Sequence, residues 1–150
     1  TKPEELEGKR VQFDLTKFLK KEAEAKFIVE GQEAKIYRFA LYPSFIKRII
    51  SRGVSIIEDS FPCKIKDCTL RVKPFLITRK KVHRSVRKAL RNGARSFLEK
   101  TFAVKTRDKV FSSIINGTIQ RTLAKKLKKI YPLGVCELRV VEVEKKEKQS

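Results

Sequence analysis

The chain has 150 residues, of which 37 are Lys or Arg and 17 are Asp or Glu, for a net charge of +20. A single-sign excess of this size repels itself in a compact body and calls for a polyanionic partner. A hydrophobic fraction of 41%, with ten Phe, excludes a disordered basic tail and is enough for the core of one domain.

Val11, Phe13 and Leu15 alternate with polar residues and predict a strand over Lys9–Leu15. A short helical turn is expected over Thr16–Lys21. Lys26–Val29 and Ala34–Leu41 follow as strands around a turn at Gly31–Gln32. Pro43 and Ser44 open a helix whose apolar face is Phe45, Ile46, Ile49 and Ile50, with Gly53 as its left-handed cap. Val54–Ile57 reads as a short strand. Cys63–Lys66 and Thr69–Ile77 read as a hairpin about Asp67–Cys68, in which Pro74 marks an edge or a bulge.

A helix is expected from Val82, with Val82, Val86, Ala89 or Leu90, Gly93 and Phe97 on one side; Asn92–Gly93 is a candidate break near its middle. Thr106 is placed to cap the next helix, with Asp108 in its first turn and Val110, Phe111, Ile114 and Ile115 on its apolar face. Asn116–Gly117 stops it. Thr118–Ile130 makes another helix, striped by Ile119, Leu123, Leu127 and Ile130. Val135–Val143 closes the chain as a strand with Cys136, Leu138, Val140 and Glu142 on one face. Residues 1–7 and 145–150 are expected to be flexible tails. Strands, then helices, then a closing strand define an α+β single domain, a mixed or antiparallel sheet or partly closed barrel packed with three to five helices.

The charge is concentrated. Between Thr69 and Leu98 stand ten cations and no acid: Arg71, Lys73, Arg79, Lys80, Lys81, Arg84, Arg87, Lys88, Arg91 and Arg95. Six are arginines, whose planar donor forks suit phosphate oxygens. A solvated helix face is the bland alternative, and the absence of interleaved acids argues against it. His83 lies inside the run, either as a candidate RNA contact or as a surface residue with no role. Arg121, Lys125, Lys126, Lys128 and Lys129 make a second basic patch, spaced as any amphipathic helix would space them. Phe13, Phe27, Phe39, Phe61, Phe75, Phe97 and Phe111 read as core, and Tyr131 as packing the helix end against the final strand.

Other classes find little support. No apolar run approaches the roughly 20 residues of a spanning helix, and no signal-peptide pattern is present. Cytosol or nucleus is the expected location. Cys63, Cys68 and Cys136 form no disulfide framework, and His83 cannot complete a zinc set, so buried reduced thiols are expected. There is no glycine-rich phosphate loop and no nucleophile–base set. Glu58 and Asp59, adjacent on a strand, point to opposite faces. No enzyme, cofactor or metal is indicated. The lack of any Met is expected of a chain whose N-terminal piece is missing here.

Three stretches carry a family resemblance: Leu6-Glu7-Gly8-Lys9-Arg10-Val11-Gln12-Phe13-Asp14-Leu15; Leu70-Arg71-Val72-Lys73-Pro74-Phe75-Leu76-Ile77-Thr78-Arg79-Lys80-Lys81; and Ile114–Ile119 followed by Ile130-Tyr131-Pro132-Leu133 and the strand with Arg139. In their order and spacing the chain resembles the eukaryotic and archaeal small-subunit ribosomal proteins of the S-one-e type, also called the S-three-A-e family. The resemblance implies a structural, rRNA-binding role in translation on the small-subunit platform, near the mRNA exit and the rRNA 3′ end. It implies neighbouring platform proteins as partners, with mRNA and initiation factors as further candidates and no membrane. It also implies a ribosomal location in the cytoplasm, with nucleolar assembly in a eukaryote. A non-ribosomal RNA-binding assembly factor is the alternative. The family's Lys-rich N-terminal extension is not seen. Val82-His83-Arg84-Ser85 replaces its usual basic segment in a shorter loop, so individual rRNA contacts are not carried over there.

Overall fold

The computed structural model describes residues 9–16, 22–30, 33–66 and 68–144. The expected turns at Thr16–Lys21, Gly31–Gln32 and Asp67, and both tails, fall wholly or mainly outside these residues.

Seven strands form one antiparallel, open sheet: β1 (Arg10–Asp14), β2 (Ala23–Glu30), β3 (Glu33–Leu41), β4 (Ile56–Glu58), β5 (Phe61–Lys64), β6 (Thr69–Thr78) and β7 (Leu133–Val143). Their spatial order is β1-β2-β3-β7-β6-β4, with β5 also paired to β6. Four helices complete the described chain: α1 (Pro43–Ile49), α2 (Arg84–Ala103), α3 (Arg107–Asn116) and α4 (Thr118–Leu127). The last three lie on one face of the sheet, α2 against β5 and β4, α3 against β3, and α4 against β7, α2 and α3.

Alternation builds that face. Ala25, Phe39, Val141, Val72 and Phe61 stand opposite one another across five strands and are all buried. From α2, Leu90, Ala94, Leu98 and Phe102 meet them at intervals of four, the spacing that keeps one helical face inward. The Cys63 thiol, 3.8 Å from the Leu98 carbonyl, ties β5 to α2. Burial, seconded by the Glu99 carboxylate, pushes that thiol up to about 11. Cys63 alone of the three cysteines is fully buried; Cys68 and Cys136 are half-buried.

Pro74 marks a bulge and not an edge, since β6 is the second-innermost strand on its side of the sheet and pairs with β7 along its length. Lys73 faces Val140 and Pro74 faces Leu138, so Arg139 is the extra residue. The slip reverses alternation along β7. Leu138 and Val141 are therefore the buried residues there, in place of the expected Leu138, Val140 and Glu142 face.

Asn92–Gly93 does not break α2, which runs unbroken for 20 residues. Gly93 instead makes room for α4: a Cβ there would lie 3.1 Å from Leu127 Cδ2 and 3.2 Å from Ile130 Cδ1. The last helix ends at Leu127 and not Ile130, which is 43% exposed in the turn beyond. Gly53 is left-handed (φ 78°) but sits in the turn after α1, whose cap is Ile50. Thr106 occupies the cap position of α3 without a side-chain cap bond. Phe13, expected in the core, is 53% exposed, since β1 lies at the sheet margin beyond the helices.

Candidate nucleic-acid interface

The fold distributes the two basic stretches over three surfaces. Arg71 and Lys73 lie on β6, where alternation turns them to the sheet face away from the helices. There Arg71 Nε donates to Glu144 Oε1 at 2.8 Å, while its cross-strand neighbour Glu142 pairs with Arg38 at 3.1 Å. Arg71 is thus held within a ladder of alternating charge, its side chain 37% exposed. Lys73 is exposed on the same face.

The second surface is the turn Arg79–Lys80–Lys81 and the helix it feeds. All three turn residues are exposed, and a buried hydroxyl fixes their backbone. Thr78 is fully buried; its Oγ1 accepts from Ser55 N at 3.0 Å and donates to Lys80 O at 2.6 Å. Ser55 completes the clasp, its Oγ accepting from Val82 N at 3.0 Å. These bonds set where β6 ends and where α2 begins.

Along α2, Arg84, Arg87, Lys88 and Arg91 fall within an arc of about 100° on the solvent side. With Ser85 and Asn92 they fence an open cleft of about 690 Å³. None of the four makes an ion pair among the described residues. Arg95 continues the row, but its Nε meets Glu99 at 3.1 Å and its guanidinium lies 5.3 Å from the Phe61 ring centre, which fixes its direction. Arg84 to Arg95 spans eleven residue rises, about 16 Å, or roughly five phosphate steps of one strand along a duplex axis. His83 occupies the N-cap position, exposed and without a side-chain cap bond.

The α4 patch is separate. Gly93, which meets α4, is nine residues from Arg84, two and a half turns, and so faces away from it. Lys126 lies over Phe97 with Nζ 5.2 Å from the ring centre. Arg121 folds back on the end of α3, donating to Gly117 O at 3.3 Å and Asn116 O at 3.2 Å. That leaves Lys125, Lys128 and Lys129 exposed on the outer side. Tyr131 is half-buried against the core, as expected of a packing residue.

The model of the ribosomal S3Ae family matches residues 1–147. The chain belongs to this family. Its relatives include proteins described as small ribosomal subunit protein eS1. The one from Nanoarchaeum equitans is 31% identical over 157 aligned positions, covering 98% of this chain and 79% of the relative. That from Halorubrum lacusprofundi is 29% identical, over 71% of this chain and 50% of the relative. That from Methanobrevibacter smithii is 28% identical, over 63% and 49%. The chain thus spans about half the length of the latter two.

Among the described residues no group of three or more His, Cys, Asp or Glu is placed to hold a metal, and no helix is long and apolar enough to cross a membrane. Glu58 pairs with Arg139 at 3.2 Å. Ser55 and Thr78, which hold the basic turn, were invisible to charge-based reading because neither is charged. The one signal was a Thr closing an apolar strand just before three cations.

Proposed function

We propose that this protein is a non-catalytic constituent of the small ribosomal subunit that binds rRNA through the Arg79–Lys81 turn and the outward face of α2. The observation that carries the proposal is the row Arg84, Arg87, Lys88 and Arg91, exposed around one cleft and unneutralised by any described acid. Such a row replaces condensed counterions on a phosphate backbone, and the released ions drive binding. Arginine adds bidentate geometry that fixes orientation without reading sequence. Lys125, Lys128 and Lys129 supply a second, separately directed contact, which suits a protein bridging two RNA segments. Membership in the S3Ae family, and relatives described as small ribosomal subunit proteins, favour rRNA over other polyanions. The family resemblance further suggests a platform position near the mRNA exit and the rRNA 3′ end, among platform proteins.

The test is sedimentation of the tagged protein from lysate through sucrose, before and after a high-salt wash. Persistent migration with small subunits and translating ribosomes is expected. Release by salt, or confinement to precursor particles, would identify an assembly factor instead.

A further inference from the structure

The basic face of α2 offers no ring on which a base could stack. Arg84, Ser85, Arg87, Lys88, Arg91 and Asn92 fence its cleft, and all six are polar and exposed. Phe61, with the Arg95 guanidinium over it, is fully buried, and Phe97, with Lys126 Nζ over it, is half-buried. Among the described residues the one exposed aromatic side chain is Phe13. It stands on β1, at the opposite margin of the sheet from β4, against which α2 packs.

This omission bears on the form of the RNA. Proteins that grip single strands stack bases on aromatic side chains, worth roughly 5- to 150-fold in affinity per base. A face of cations alone draws its affinity from released counterions, and a duplex releases more of them. Each phosphate contact contributes about 0.9 to the salt slope on a duplex and about 0.7 on a single strand. The four cations therefore favour a duplex by about 5-fold at about 0.15 M salt. Ser85 and Asn92 add a second trait. Seven residues apart, about 10 Å along α2, they form a polar stripe beside the cation row. Both side chains donate and accept hydrogen bonds, which suits the ribose 2′-hydroxyl, itself donor and acceptor. Those hydroxyls line the wide, shallow groove of an A-form helix.

We propose that α2 engages a double-helical segment of RNA across its shallow groove, an inference that rests on the rRNA-binding reading above. Arg84, Arg87, Lys88 and Arg91 meet the phosphates, and Ser85 and Asn92 reach 2′-hydroxyls. Phosphate contacts position a protein without reading sequence, and the hydroxyls tell RNA from DNA. The ligand of this face is therefore an A-form duplex of any sequence, and not an unpaired strand.

Fluorescence anisotropy of the full chain tests this with three probes of one sequence. They are an RNA duplex of about 16 base pairs, one of its strands without self-complementarity, and the corresponding DNA duplex. At about 0.15 M salt the RNA duplex is expected to bind about 5-fold more tightly than the strand, with the steeper salt slope. Ser85→Ala combined with Asn92→Ala is expected to weaken binding of the RNA duplex about 10-fold and to leave the DNA duplex unchanged. Unchanged DNA binding also shows that the double variant is folded. A strand that binds as tightly as the duplex overturns the proposal and leaves the rRNA reading in place. Equal affinity for the two duplexes overturns it as well, since a face that ignores the hydroxyls is a general polyanion clamp. So does a double variant that keeps its RNA affinity or loses equally on DNA. Failure of all three probes to bind overturns the proposal and the rRNA reading together.

Discussion

Replacing Arg84, Arg87 and Arg91 together by Gln removes three of the four unneutralised cations around the α2 cleft. Each phosphate contact contributes about 0.9 to the slope of log affinity against log salt for a duplex, so the slope is expected to fall by about 2.7. At about 0.15 M salt each released counterion is worth about 0.7 of a decade, and the triple variant is expected to bind roughly 150-fold more weakly. The three side chains are exposed and make no described ion pair, so the melting temperature is expected to stay within a degree or two. Arg71→Gln is the control: already paired with Glu144, Arg71 is expected to leave the slope unchanged. The assay is fluorescence anisotropy with a small-subunit rRNA fragment over a salt series, alongside thermal melting. An unchanged slope in the triple variant, or an equal loss in Arg71→Gln, would refute the assignment of the phosphate contacts to α2. A collapsed melting transition would make those arginines structural.

Thr78→Val keeps the shape of the side chain but leaves Ser55 N and Lys80 O without their partner, at an expected cost of about 1–3 kcal/mol in urea unfolding. Weaker RNA binding should accompany that loss, because the turn carrying Arg79–Lys81 is no longer held. Gly93→Ala is expected to change stability by less than about 1 kcal/mol, its helix-propensity gain offset by crowding of Leu127 and Ile130. Gly93→Leu is expected to cost about 1–3 kcal/mol by pushing α4 away, read from the same unfolding curves. For Cys63, the folded thiol holds its proton up to about 11 while the unfolded one releases it near 9. Its contribution is therefore fully present below pH 9 and lost as pH rises toward 11, by a few kcal/mol at most, on the order of 1.4 kcal/mol per pH unit. Cys63→Ala should flatten that part of the stability–pH curve; an identical slope in the variant would show that other groups cause it.

Local pattern was enough wherever one face of an element meets the core. The apolar runs of β2, β3 and β6, bounded by turn residues, and the stripes of α3 and α4 were readable in this way. It failed where a second element decided the outcome. Gly93 carries the mark of a helix breaker, and only the approach of Leu127 and Ile130 turns it into a packing site. The faces of β7 depend on a bulge opposite Lys73 and Pro74, a property of the pair of strands and not of either one. Phe13 has the alternation of a core residue and lies at a margin that only the strand order reveals.

Charge divides in the same way. Sequence alone determined the net charge of +20 and the arginine cluster over residues 79–95, because net charge and local composition do not depend on the fold. Tertiary structure decided which cations remain available. Arg71 is answered by Glu144, 73 residues away, Arg95 is steered by Phe61 and Glu99, and Arg121 is spent on the end of α3. Arg84, Arg87, Lys88 and Arg91 are left to the solvent. An ion pair acts over a few ångströms, and the distances that select among these cations exist only once the sheet and helices are assembled.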